Sequence, residues 1–521
     1  MDTHPDATAP TAQQTPGPAQ ASAQASVQAP LQAPVAPQLA LWYDALANPA
    51  KPPSPARAWR AVRELAGMTG PGTEGAVELA ARFAAVAEPP SEKLLKLWPS
   101  APDPDAFARL LLAPAFAREG RTELDLGRKL CLPGVRHLTT LRRLRAYRRK
   151  DIVDLSELAG LVGLTSLDLD GCRNVSDLAP LAGLSRLSSL NLHHTAVDDL
   201  SPLAKLASLT DLDLSQCTAI SDLTPIGGLT GLVRLSLAAT RITTLTDLDS
   251  LTALTDLDVS DCSQLATLDG VAGKPSLAEL RIARCTALTS LRGIGAHPNV
   301  TRLDLDGCTG LTDLRDVARL TGLTWLSVEG CERLTSLDGV EGLMALEQVN
   351  VIASPGVRQL SALGGPAALE NLILRELPQL SDLSALPSMV ALRQLTLQHC
   401  ENLTTLDGLP AQPSLDILDV TEAPRLRTFG TGHDLPVLRC LFSSYCPELA
   451  DLGDVADLPA LTDLMLGETS PDLDPAGLRG RAPFTSIRTA FDHEPRWQAA
   501  ISEALGKPVR MVNGWLEVVD E

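Results

Sequence analysis

From about Thr122 the chain settles into one pattern and holds it to about residue 482: paired apolar residues flank a single polar one, and the string LxxLxL returns every 22 or 23 residues. In LTSLDLDGCRNVSDLAPLAGL, Leu164 to Leu184, the alternation Leu167, Asp168, Leu169, Asp170 reads as a short strand with leucines turned inward and aspartates outward. One unit of this length cannot bury its own leucines. Stacked on its neighbours it can, so the pattern predicts a solenoid with parallel strands along one face. The segments after the strands carry Pro180, Pro202 and Pro225; they are too short and broken for α-helix and are expected to form extended or 3₁₀ turns. With strands ~4.8 Å apart, the array would extend roughly 75 Å.

One column sets the register. Aligning the strings puts Arg149, Cys172, Thr195, Cys217, Thr240, Cys262, Cys285, Cys308, Cys331, Ser354, Leu377, Cys400, Ala423, Cys446 and Thr469 at a single position, 23 residues apart except for steps of 22 after Thr195 and Thr240. These LxxLxLxxC and LxxLxLxxT units, each followed by a DLxPL-type segment, resemble bacterial leucine-rich repeats of the cysteine-containing, internalin-like kind. The resemblance covers residues 122 to 482. It implies an α/β repeat solenoid: a curved leucine-rich-repeat arc with its parallel sheet on the concave face. Cys172, Thr195, Cys217, Thr240, Cys262, Cys285, Cys308, Cys331, Cys400 and Cys446 are then a structural ladder. Their small side chains can pack under the turn leaving the strand and bond its backbone.

The flanks differ in kind. Residues 1 to 38 are nearly all Ala, Pro, Gln, Ser and Thr, a composition that cannot bury enough apolar surface to fold, and they read as a disordered tail. Residues 39 to 121 have helical spacing: SPARAWRAVRELAG opens on Ser54 and Pro55, and DPDAFARLLLAPAFAREG on an Asp-Pro pair. This predicts a small α-helical domain capping the repeats. Residues 483 to 521 read as a strand (FTSIRTAF), a helix (EPRWQAAISEALG) and a hairpin turning at Asn513 and Gly514, a small α+β unit covering the last repeat.

Composition narrows the function. A net charge of -19 disfavours general nucleic-acid binding, and no apolar run is long enough to span a membrane. The first fifty residues contain no Lys or Arg, as a signal peptide would require, so the expectation is a soluble cytoplasmic protein. Secretion by a signal-peptide-independent route is the alternative.

Catalytic chemistry finds no support in the motifs. None of the ten cysteines forms a CxxC pair, and a column of stacked thiols gives a line and not the tetrahedron a metal needs. GxxxxGK[ST], HExxH and GxSxG are absent. His193 and His194 are neighbours whose side chains would point to opposite faces of a strand. No metal, cofactor or catalytic residue is expected. Cys131 and Cys440 lie off the column, with Cys440 at an outward strand position.

The outward strand positions carry the remaining signal. The first units present Arg143, Arg145 and Tyr147, within a segment from Arg121 to Lys150 that holds ten basic and two acidic residues. Such a charge run is read first as a solvated edge, salt-bridged to carboxylates such as Glu92 and Asp105. The middle units present Asp168, Asp170, Asp213, Asp258, Asp304 and Asp306, offset in part by Arg234, Arg281 and Arg302. Later units present Trp325, Ile373, Phe442 and Met465. Together these predict a non-enzymatic scaffold that binds another protein on its concave face. The acidic middle would steer the partner and the apolar half would supply contact. The alternative is a secreted bacterial effector gripping a host protein, with the N-terminal tail as its export signal.

Overall fold

The structure is a computed structural model and describes residues 37–47, 52–70, 73, 75–474, 478, 483–489, 495–506, 508–512 and 515–518. It divides into two compact units between Ala87 and Glu88. Among the described residues the first holds α1 (Pro37–Ala47), α2 (Pro55–Leu65) and α3 (Ala76–Ala87). Ser54 caps α2 by accepting the Arg57 N–H, and Pro55 fills the first helical position, where no N–H is needed. Ala58, Ala61, Val62 and Leu65 form the buried stripe of α2, which packs on Leu79, Ala80 and Phe83 of α3. Of the tail, residues 1–36 lie outside the described residues, while Pro37 and Gln38 open α1.

The second unit begins with α4 (Ser91–Leu95), α5 (Pro104–Phe107) and α6 (Ala113–Glu119), the last two joined by a single π-helical turn. Asp103 caps α5 through the Ala106 N–H, and Gly120, in the left-handed region, ends α6. Asp105 then ties this helical entry to the first repeats, accepting from Arg136 at 2.7 Å and lying 3.0 Å from His137.

From there the chain is a leucine-rich-repeat solenoid. Strands β1 (Glu123–Asp125) to β8 (Glu279–Arg281) form one parallel sheet in chain order, and β9 (Arg302–Asp304) to β17 (Ser486–Thr489) form a second. Inward leucines are sealed: Leu167 is 1% exposed and Leu169 is fully buried. The proline-bearing segments are 3₁₀ turns, as at Ala179–Leu181, Ser201–Lys205 and Thr224–Ile226. Each is opened by an aspartate two residues upstream (Asp177, Asp199 or Asp222) whose carboxylate accepts the first N–H of the turn.

A feature of the backbone accompanies the register. The residue before each column position, from Arg148 through Gly171 and His194 to Tyr445 and Glu468, has a positive φ. Only at Gly171, Gly307 and Gly330 does the chain place glycine there. The other residues accept a left-handed conformation that costs roughly 1 to 2 kcal/mol each. In return the turn N–H reaches a carbonyl of the next repeat, as from His194 to Ser215 and from Glu422 to Ser444.

The two sheets meet at a seam. At other steps of the stack two consecutive N–H groups share one carbonyl of the preceding repeat: Thr165 and Ser166 both donate to Arg142, and Thr324 and Trp325 both donate to Thr301. Between β8 and β9 the described residues form no such pair. Here the core column that elsewhere holds Leu184, Leu206, Leu229 and Leu251 holds Lys274 and His297, each only 1% exposed. The Lys274 ammonium donates to the Gly270 carbonyl, and the His297 ring lies between the carbonyls of Lys274, at 3.0 Å, and Ile294, at 2.7 Å.

Beyond β17 come α7 (Pro495–Leu505) and an antiparallel pair, β18 (Val509–Val512) and β19 (Trp515–Val518). α7 and β19 pack on β17, and Trp497 of α7 is fully buried. The turn expected at Asn513 and Gly514 lies outside the described residues.

Candidate functional site

The thiol column is the innermost feature of the repeats. All eight column cysteines are fully buried. Each points its thiol at a carbonyl of the preceding repeat: Cys172 at Ala146 (2.7 Å), Cys217 at Leu192 (3.1 Å), Cys262 at Leu237 (3.2 Å) and Cys285 at Val259 (3.2 Å). Ser354 does the same with Val328 at 2.8 Å. Thr195 and Thr240 instead donate within their own repeats, to Leu192 and Leu237, the same carbonyls that Cys217 and Cys262 approach. Their repeats are the 22-residue ones. The turn after threonine is one residue shorter, Thr195 to Val197 against Cys172 to Val175, and the hydroxyl bonds locally. Burial pushes these thiols upward, to about 11 for Cys308 and Cys400, so they are protonated, poor nucleophiles. Arg149 opens the column in a different way, its guanidinium bound to Asp151 and to the carbonyls of Gly127 and Leu130.

The strand face sorts the outward residues into three groups. Arg143, Arg145 and Asp168 line one hollow of about 590 Å³, with Arg143 paired to Glu123 and Arg145 to Asp168. Tyr147 lies just past β2 (Arg143–Arg145), 42% exposed, with the Arg148 guanidinium over its ring at 4.7 Å. Asp213 and Asp258 line a second hollow of about 360 Å³, together with Asp211, Asp256, Arg234 and Arg281. Arg234 pairs with Asp211 there.

The aspartates that end the strands also have backbone work that the sequence reading missed. Asp168, Asp213, Asp258 and Asp304 each accept the N–H two residues on, at 2.9 to 3.1 Å, which closes the turn into the column. Asp170 and Asp306 fall beyond their strands, and Asp306 binds the Ser327 hydroxyl and the Glu329 N–H. The signal available in the sequence was the recurrence of Asp or Asn at the last strand position. Burial raises the Asp304 carboxyl above its ordinary value, with Asp306 adding repulsion.

The apolar residues do not form one stripe. Trp325 stands in the first outward row with Arg302 stacked on it at 4.2 Å, and Ile373 stands in the second row between Asn350 and Thr396. Phe442 and Met465 are register partners on β15 (Cys440–Cys446) and β16 (Asp463–Thr469), and Ile417 of β14 (Ile417–Thr421) pairs with Cys440. These four half-buried residues make the contiguous apolar patch of the face. Among the described residues no group of His, Cys, Asp and Glu could hold a metal ion.

Three solved structures set this geometry beside known proteins. The chain is similar to an internalin of Listeria monocytogenes at 18% identity and TM-score 0.34, covering 78% of this chain and 95% of that one. It is similar to a leucine-rich-repeat protein of Leptospira interrogans at 18% and 0.32, covering 60% and 86%. The functional domain of InlJ from Listeria monocytogenes, which includes a cysteine ladder, follows at 19% and 0.33, covering 60% and 75%. The likeness is a distant one to bacterial leucine-rich-repeat proteins. No protein-family model and no curated protein matches the chain. The cytoplasmic location expected from the sequence is withdrawn as a correction, since the matched structures include internalins.

Proposed function

We propose that this chain is a non-catalytic scaffold that grips a protein partner on its concave strand face. The supporting observation is the patch of Ile417, Cys440, Phe442 and Met465, in register on three adjacent strands and only half covered. Contiguous apolar side chains on a solvent-facing sheet are rare without something to cover them. The floor around Asp211, Asp213, Asp256 and Asp258 favours a partner with a basic surface opposite it, through steering and orientation more than through net affinity. Arg143 and Arg145 are engaged by Glu123 and Asp168. No helix among the described residues is long and apolar enough to cross a membrane.

Affinity capture with the native chain and with a Phe442→Ala, Met465→Ser variant, read by mass spectrometry, tests the proposal. A specific partner retained by the first and lost by the second is expected, with circular dichroism unchanged. An unchanged partner set counts against this face. A second reading, an exported effector that binds a host protein, draws on the kind of protein the internalins are. Deleting residues 1 to 38 in a secretion-competent host tests its export signal, and undiminished secretion would refute that signal.

A further inference from the structure

A second candidate surface lies off the strand face, on the turn edge of the last repeats. There the left-handed residues His399, Glu422, Tyr445 and Glu468 follow one another at intervals of 23 residues. The pairing of Ser444 with Gly467 and of Cys446 with Thr469 makes Tyr445 and Glu468 neighbours, ~4.8 Å apart along the stack. Thr421 pairs with Ser444 in the same way, so Tyr445, 53% exposed, stands between Glu422 and Glu468 in the stack. A hollow of about 580 Å³ opens beside this row, with Pro424 and Pro447 in its lining.

Charge and hydrogen bonding in the hollow are both unbalanced. His399 lies 2.6 Å from Glu422, while among the described residues no ion pair engages Glu401 or Glu468. Thr469, also in the lining, is 8% exposed, and its hydroxyl has no hydrogen-bond partner. At the same column position Thr195 and Thr240 do have one. A buried hydroxyl left unpaired costs ~1 to 3 kcal/mol.

We propose that this hollow takes an arginine from an extended segment of a protein partner. A guanidinium stacks on an aromatic face and donates to carboxylates in its own plane, which suits Tyr445 with Glu422 and Glu468 on either side. The apolar stem lies on the two prolines. A positively charged occupant also offsets the local excess of carboxylates. The inference rests on the protein-binding reading only for the nature of the occupant, since the residues involved are not those of the concave face.

Fluorescence anisotropy with a labelled peptide of alternating arginine and proline tests it, with citrulline in place of arginine as the neutral control. The full chain is expected to bind the arginine probe and to bind the citrulline probe at least tenfold more weakly. Tyr445→Ala, and separately Glu422→Gln with Glu468→Gln, should each weaken the arginine probe at least tenfold. Asp211→Asn with Asp256→Asn removes as many charges from the concave floor and should leave the affinity within twofold. Equal binding of the two probes, edge variants that bind like the native chain, or an equal loss from the concave variant would each overturn the proposal. Loss of partner capture by Phe442→Ala, Met465→Ser with unchanged probe binding separates this site from the concave one.

Discussion

Lys274 offers the sharpest energetic test of the packing. Its side chain is 1% exposed in a column otherwise built largely of leucine, and burial lowers its affinity for the proton below the ordinary value of 10.5, with Asp249 opposing the shift. Met389 fills the same column five repeats on and is 2% exposed, so Lys274→Met introduces a side chain the fold already accepts. Removing a buried charge in favour of an apolar group of similar volume stabilises by up to ~4 kcal/mol. Losing the ammonium leaves the Gly270 carbonyl unpaired, which costs about 1 to 3 kcal/mol. The expected net is a stabilisation of about 1 kcal/mol at neutral pH. The pH dependence carries more information than the size. Because the folded state binds the proton less tightly than the unfolded state, the penalty is fully present below the lowered folded value and vanishes as pH rises toward 10.5. Native stability therefore climbs through that window, by at most about 1.4 kcal/mol per pH unit from this group. The variant lacks the contribution. Equilibrium urea unfolding followed by circular dichroism, at about pH 7 and about pH 9.5, reads both effects. A variant that is less stable at neutral pH, or that keeps the native pH slope, refutes the reasoning.

Other consequences are open to simpler measurements. Iodoacetamide should modify Cys131 and Cys440 in the folded chain and the eight column cysteines only after unfolding, because the column thiols are fully buried and protonated; mass spectrometry that finds Cys308 or Cys400 alkylated under native conditions would contradict this. At the seam, the amides of Thr301 and Arg302 should exchange with deuterium at least ~10-fold faster than those of Thr324 and Trp325, which share the Thr301 carbonyl; equal protection would mean the two sheets are one cooperative ladder. Asp213→Ala should destabilise by about 1 kcal/mol, since it removes bonds to the Ser215 N–H and hydroxyl. Asp211→Ala, which loses an ion pair with Arg234 and a bond from the Thr210 hydroxyl but no backbone N–H bond, should cost less than Asp213→Ala; the reverse order in thermal unfolding would show that the aspartates act mainly through charge.

The solenoid was legible because its period is written in residues that cannot be moved. Leu167, Leu169 and Cys172 must face inward in every repeat, so the column gives the phase of all outward positions. The threonines were visible as the origin of the 22-residue steps, but not their reason, which is a hydroxyl bonded to its own repeat where cysteine approaches the previous one. Asp168 and Asp213 were read only as outward charge, offset in part by arginines, because the sequence shows a carboxylate but not the N–H two residues later. The left-handed row escaped notice since it holds arginine, histidine, glutamine, glutamate and tyrosine as readily as glycine. Its conformation comes from stacking and not from local propensity. For the same reason Glu422, Tyr445 and Glu468 were not recognised as neighbours. The seam could have been suspected from Lys274 and His297, polar residues in a leucine column, yet only the missing pair of backbone bonds locates it. The apolar residues were read together as one outward set, and period alone could not separate Trp325 and Ile373 from the adjoining pair Phe442 and Met465. Ile373 shares their row, but Thr396 and Asp419 stand between, and Trp325 stands in the other row beside Arg302.

The claim that the strand face carries the partner is tested most directly by photo-crosslinking. A benzophenone amino acid placed at Phe442, and in a second protein at Val390, which is 64% exposed and lies outside the strands, reports which surface touches the bound protein. Irradiation of the captured complex should yield a covalent adduct from position 442 and none from position 390. Adducts from 390 with none from 442 would place the partner elsewhere and contradict the account.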